Sequence, residues 1–101
     1  MNDLPSLLTA IATGDRQAVT AALDAVPSLV TARLARPDEF FLEQCQAQLY
    51  EGDTALHAAA FAYDVSLARD LLIRGASLTA RNRRGAEPLH AAANGVPGSA
   101  N

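Results

Sequence analysis

Residues 52–60 read Gly-Asp-Thr-Ala-Leu-His-Ala-Ala-Ala, and residues 85–93 read Gly-Ala-Glu-Pro-Leu-His-Ala-Ala-Ala. Gly52 and Gly85, Leu56 and Leu89, His57 and His90, and the alanines at 58–60 and 91–93 all stand 33 positions apart. Such agreement at one fixed offset, with nothing inserted, marks a stacked supersecondary unit, and a 33-residue period belongs to a helical repeat. Each unit of such a stack hides its apolar face against the next one.

The best-defined unit runs over residues 52–84. Thr54 is placed to cap a first helix, its hydroxyl accepting a backbone N–H that has no partner in the first turn. Leu56, Ala59, Ala60 and Tyr63 then fall on one helical face. Asp64 opens a second helix, for which the spacing predicts an inward stripe of Val65, Ala68, Leu71 and Leu72. Gly75 stands where that helix stops, since glycine enters the left-handed cap conformation without penalty. Residues 77–84 form an extended turn leading to Gly85.

The next copy starts at Gly85, with Pro88 at the first helical position, where its missing N–H costs nothing. After the helical signal at residues 89–93, residues 94–99 are a string of turn formers. The copy, over residues 85–101, is incomplete. Upstream, residues 4–32 read as a degenerate version of the same helix–turn–helix, broken at Gly14. Residues 33–51 are an insert holding Phe40, Phe41, Leu42, Leu49 and Tyr50. It is too apolar for a linker and is expected to fold back on the stack, with a short helix within residues 38–48.

Composition fits this reading. Half the residues are hydrophobic but only five are aromatic, and Trp is absent. Small side chains favour close helix packing. The sequence contains no Lys, and its abundant Ala and Arg suit a GC-rich bacterial source. Residues 1–53 carry eight acidic and three basic groups and residues 54–101 three acidic and five basic. That is no basic patch of the kind nucleic acid requires. Cys45 is the lone cysteine, which excludes an internal disulfide and fits a reducing compartment. The first residues lack the basic start and apolar run of a signal peptide, and the apolar run at residues 58–63 is too short to span a membrane. The expectation is a soluble cytoplasmic protein of one domain, residues 1–101.

These residues resemble the ankyrin repeat family, whose first helix opens with Thr-Pro-Leu-His. Thr54-Ala55-Leu56-His57 and Glu87-Pro88-Leu89-His90 each keep three of the four, and Leu71-Leu72 and Gly75-Ala76 match later positions. The resemblance implies an all-α helical solenoid of about two and a half repeats with β-turn-like fingers, the first finger being long, as in a bacterial subgroup. It departs in placing Tyr63 where the family has Gly, which predicts a different turn between the two helices. A stack of this kind wants about three units, so the face at Leu89, Ala92 and Ala93 calls for a cover. Either the chain belongs to a longer array or another molecule covers it.

Two histidines and a cysteine raise other chemistry. A metal site needs three or four matched ligands, and the nearest candidates beside His57 and His90 are Asp53, Glu87 and Cys45. The repeat explains both histidines as ties between units, so no metal or cofactor is expected. Cys45 with His57 could be drawn as a nucleophile and base, but no oxyanion loop surrounds Cys45. The chain is read as a non-enzymatic protein-interaction module.

By position in the resembled family, its contacts are Arg81, Asn82, Arg83, Arg84 and Glu87 on the finger, with Phe61, Ala62 and Asn94 on the first helices. Arg74 is expected near the arginine cluster. Arginine forks suit carboxylates, which points to an acidic partner surface. Exposure of Phe40 or Phe41 would mark a binding hot spot. The alternative is self-association through the incomplete C-terminal repeat.

Overall fold

The computed structural model describes residues 3–88. The expectations for Leu89, His90 and Asn94, and for the cover of Leu89, Ala92 and Ala93, lie outside those residues. Among the described residues run four helices: α1 (Leu4–Thr13), α2 (Arg16–Ala25), α3 (Ala55–Phe61) and α4 (Val65–Ile73). Each begins at a side-chain cap. Asp3, Asp15, Thr54 and Asp64 accept the backbone N–H three residues on, at 2.9, 3.1, 3.4 and 3.0 Å. This satisfies donors that the helix itself leaves orphaned.

The pair α1–α2 stacks on the pair α3–α4, with α1 against α3. Leu7, Leu8, Ile11, Val19 and Leu23 from the first pair and Ala55, Ala58, Ala59, Leu67 and Leu71 from the second form one buried core. The alanines of α3 bring its backbone close to α1. The arrangement is mostly helical, as an ankyrin-type stack requires.

Two expectations for the second helix pair need correction. The inward stripe of α4 is Leu67 and Leu71, not Val65 and Leu72, which are exposed. The helical wheel has two apolar sides here, and α1 and α2 cover only one. The turn at Tyr63 is also not different in kind. Tyr63 adopts φ 56°, as Gly14 adopts φ 76° at the equivalent place. Gly14 and Asp15 donate to Ile11 and Ala10 carbonyls, and Tyr63 and Asp64 donate to Ala60 and Ala59 carbonyls in the same pattern.

The insert contains no α-helix within residues 38–48. It holds a short 3₁₀ turn (Arg36–Asp38) and an antiparallel hairpin of β1 (Phe40–Leu42) and β2 (Ala47–Leu49). Leu34 fixes the reason. Its N–H donates to Asp53 O and its carbonyl accepts from Gly52 N–H, both at 2.8 Å. The chain must therefore return to its starting point, which two strands do and a single helix of about 15 Å does not. Phe40, Leu42, Ala47 and Leu49 alternate onto one face, as the period of two demands; Leu42 and Leu49 join the core with Phe40 packed against it, and Ala47 is buried.

Gly52 holds this base shut. At φ +91°, a Cβ would lie 2.9 Å from Asn82 Cα and 3.0 Å from Arg81 O, whereas at Gly14 it would meet nothing within 4 Å. Gly14→Ala is expected to lower stability by about 1 kcal/mol, the left-handed penalty alone. Gly52→Ala adds a clash with backbone and should cost roughly 3 kcal/mol or more. Urea denaturation of both variants measures the gap; equal losses would contradict the close approach.

Candidate functional site

The polar centre of the molecule lies where the two fingers meet α3. Asp53, Thr54, His57 and Asn82 are its buried polar residues. His57 Nδ1 accepts the Thr54 N–H at 3.1 Å, and Nε2 lies 2.9 Å from Ala86 O in the next finger. With Nδ1 accepting, Nε2 carries the proton and donates. One Asp53 oxygen accepts Tyr50 N–H at 2.8 Å and the other accepts the Asn82 amide at 2.9 Å. Burial pushes the Asp53 carboxyl up, against the lowering effect of the Tyr50 and Asn82 hydrogen bonds and of His57. Asn82 Oδ1 in turn accepts Arg84 N–H at 2.9 Å and Ala86 N–H at 3.0 Å. Asn82 is thus an internal brace, and as a buried residue it leaves the surface offered to a partner.

The finger arginines stand apart from one another in role. Arg83 forks onto Glu39 of the insert at 2.5 and 3.1 Å. The hydrogen bond from Arg83, with one from Glu51 N–H, holds the Glu39 carboxyl far below its usual 4.5, at about 2. Arg81 pairs with Glu87 at 3.3 Å. Arg84 bonds Tyr50 Oη at 3.4 Å, and the guanidinium carbons of Arg83 and Arg84 lie 4.9 and 5.1 Å from the Tyr50 ring centre. Arg74 does not join them: it caps α4 and bonds Asp24 at 3.1 Å. Between the finger bases lies an open cleft of about 560 Å³ lined by Arg33, Arg81, Arg83 and Glu51.

Hairpin alternation leaves Phe41 on the outer face, opposite Gln48, and 48% exposed. Phe40 turns inward onto the core. Phe61, at the end of α3, is half-buried, and Ala62 is its C-cap. Cys45 sits in the hairpin turn, where burial pushes its thiol up, the wrong direction for a nucleophile. Both ring nitrogens of His57 are already engaged, so His57 is no base for it. Among the described residues no three His, Cys, Asp or Glu converge as a metal site, and no helix is long and apolar enough to cross a membrane.

The family model of the ankyrin repeat matches residues 51–83. No curated protein matches the chain, and no solved structure does. The matched span starts just before Gly52 and ends in the second finger, so it contains Asp53, His57 and Asn82 together. Pattern reading had marked His57 and placed Asn82 among contacts. The sequence offers Asp53 only as a metal-ligand candidate; its place as the acceptor of the Tyr50 and Asn82 hydrogen bonds depends on contacts with the next finger.

Asn82→Ala removes the donor to Asp53 and the acceptor of two backbone N–H groups. A loss of about 2–4 kcal/mol is expected in urea denaturation, with little change for Arg81→Ala, an exposed pair. Glu39 gives a pH test. Its pKa is depressed on folding, so its stabilisation is complete above pH 4.5 and fades as pH falls toward 2. The wild type should exceed Glu39→Gln in stability near neutrality, the difference shrinking steadily across that window.

Proposed function

Because the chain is an ankyrin repeat protein, a kind of fold that generally serves protein–protein interaction, we propose that it is a non-enzymatic module binding one protein partner along its two fingers and the adjoining end of α3. The observation that carries this reading is Phe41. A large aromatic ring stands half out of water on a hairpin whose base is closed by backbone hydrogen bonds and whose inner face is buried. A rigid aromatic of this sort is what a binding hot spot requires, and its fixed placement lowers the entropic cost of association.

Phe61 and Ala62 extend the apolar contact, and Arg81, Arg84 and Glu87 supply the polar rim. Arg33, Arg81 and Arg83 around the cleft outnumber Glu51, which favours a partner carrying carboxylates. Arg83 contributes chiefly by holding the two fingers together through Glu39. A lone cysteine fits a reducing, cytoplasmic setting.

Capture with the 101-residue chain as bait, quantified by mass spectrometry, tests the reading through its variants. Phe41→Ala and Arg84→Glu should leave the melting midpoint within about 2 °C, since both are surface changes. A partner retained by the wild type and by Gln17→Glu on α2 should be lost by both finger variants, with affinity down about tenfold or more each. Retention of every captured protein by the finger variants would overturn it.

A further inference from the structure

Beyond α3 and α4 lies an open groove of about 420 Å³, lined almost wholly by carbon and including Leu56, Ala60, Tyr63, Val65, Leu72 and Leu78. Four of these, Tyr63, Val65, Leu72 and Leu78, are among the six exposed large apolar side chains of the described residues, so the exposure is gathered in one patch. A shift of 49 positions relates the two helix pairs, fixed by the matching left-handed residues Gly14 and Tyr63 and the matching caps Asp15 and Asp64. Under that shift Leu7, Leu23 and Leu29, all buried against the second pair or its neighbours, correspond to Leu56, Leu72 and Leu78. The groove is the same packing face, offered a second time.

Its edge defines what it can hold. Across the seam between the pairs, Arg16 reaches Asp64 and Asp70, and Asp24 meets Arg74. At the open groove the places of Arg16 and Asp24 are taken by Val65 and Ile73, 65% and 83% exposed. One cation stands beside them. Arg69 is a turn away from both Val65 and Leu72 on the surface of α4, and it holds the place of Thr20, which lines the cleft between α2 and α4. Arg69 is exposed. Among the described residues it enters none of the ion pairs that occupy Arg16, Arg74, Arg81 and Arg83. The complement of this face is hydrocarbon with one carboxylate at its margin.

The matching face of the first pair is packed by a helix, α3, that approaches α1 through its buried alanines. We propose that the groove binds an amphipathic helix of another protein, apolar toward Leu56 and Leu72 and carrying Asp or Glu toward Arg69. Apolar residues one turn apart along such a helix fill a groove of this kind, and the carboxylate sets its direction. Two other occupants lack this chemistry. Residues 89–101 contain no Asp or Glu. A second copy presents the same Arg69, like charge against like, or else its opposite end. There the exposed Ser6 and Thr9 hold the places of the buried Ala55 and Ala58, which would set hydroxyls against hydrocarbon. The contact is separate from the fingers and does not depend on the partner proposed for them.

The test uses the 101-residue chain and two fluorescein-labelled, alanine-based helical peptides of about 15 residues. Each carries a leucine stripe with one flanking charge, Glu in the first and Lys in the second. Fluorescence anisotropy should show the Glu peptide binding at least about threefold more tightly. Arg69→Glu, a surface change, should invert that preference. Val65→Gln, at an exposed position, should weaken both peptides several-fold, while Phe41→Ala on the finger should alter neither. No binding of either peptide, equal affinities, or a preference unmoved by Arg69→Glu would overturn the proposal. So would a homodimer in light scattering that the Glu peptide leaves intact, which would assign the groove to a second copy.

Discussion

Everything in this fold leans on one buried hydrogen-bonded junction. His57 reaches from α3 into the following finger at Ala86, and Asp53 and Asn82 close the space around it. Three polar side chains out of water would be costly if any were unpartnered. Each instead has its hydrogen bonds made, and two of them, His57 to Ala86 O and Asn82 to Asp53, tie α3 and its finger to the next one. The junction sets where the second finger starts, how it meets the first, and the height of α3 between them.

The first finger is anchored by other means. Under the 49-residue shift, the position of His57 in the first helix pair belongs to Leu8, which is buried in the apolar core. No polar tie is available there. The hairpin compensates by burying Leu42, Ala47 and Leu49 and by pairing Leu34 with Gly52 and Asp53 through the backbone. Glu39, at the open end of the hairpin, and Arg83 then join two fingers whose bases are held by different forces. A hydrophobic base adds area without direction, whereas the polar base fixes register, and Gly52 is where the two meet, too close to Asn82 for any side chain.

Much of this was legible in the residues. The 33-residue spacing, the caps Thr54 and Asp64 and the terminator Gly75 announced the helical unit because they report local backbone chemistry. The hairpin was not legible, since Leu, Glu, Gln and Ala in residues 42–49 favour helix on propensity alone. Its cause is the closure at Leu34 and Gly52, a contact between positions far apart in sequence. The stripe of α4 was misread for a related reason. Val65, Ala68, Leu71 and Leu72 are all apolar, and only the position of the preceding pair decides which side is inner. Asn82 sits among three arginines in a turn, so composition placed it outside while geometry draws it in beneath Asp53.

Rigidity and exposure then belong to the same design. Phe41 can stay in water without collapsing onto the core because its neighbours Phe40 and Leu42 already occupy the inward face and the strand period forbids Phe41 from joining them. The same logic separates the two apolar surfaces of the molecule. Phe41 is a single exposed ring opposite Gln48, on a finger that also carries the Tyr50 ring beneath Arg83 and Arg84, and so has the mixed apolar and polar character of a surface patch. The groove beyond α4 is continuous hydrocarbon with its rim charges replaced by Val65 and Ile73, the character of a core left half built. The two surfaces therefore differ in kind: the finger carries the cations Arg81 and Arg84 beside its exposed ring, whereas the end of the stack offers hydrocarbon at Val65, Leu72, Ile73 and Leu78.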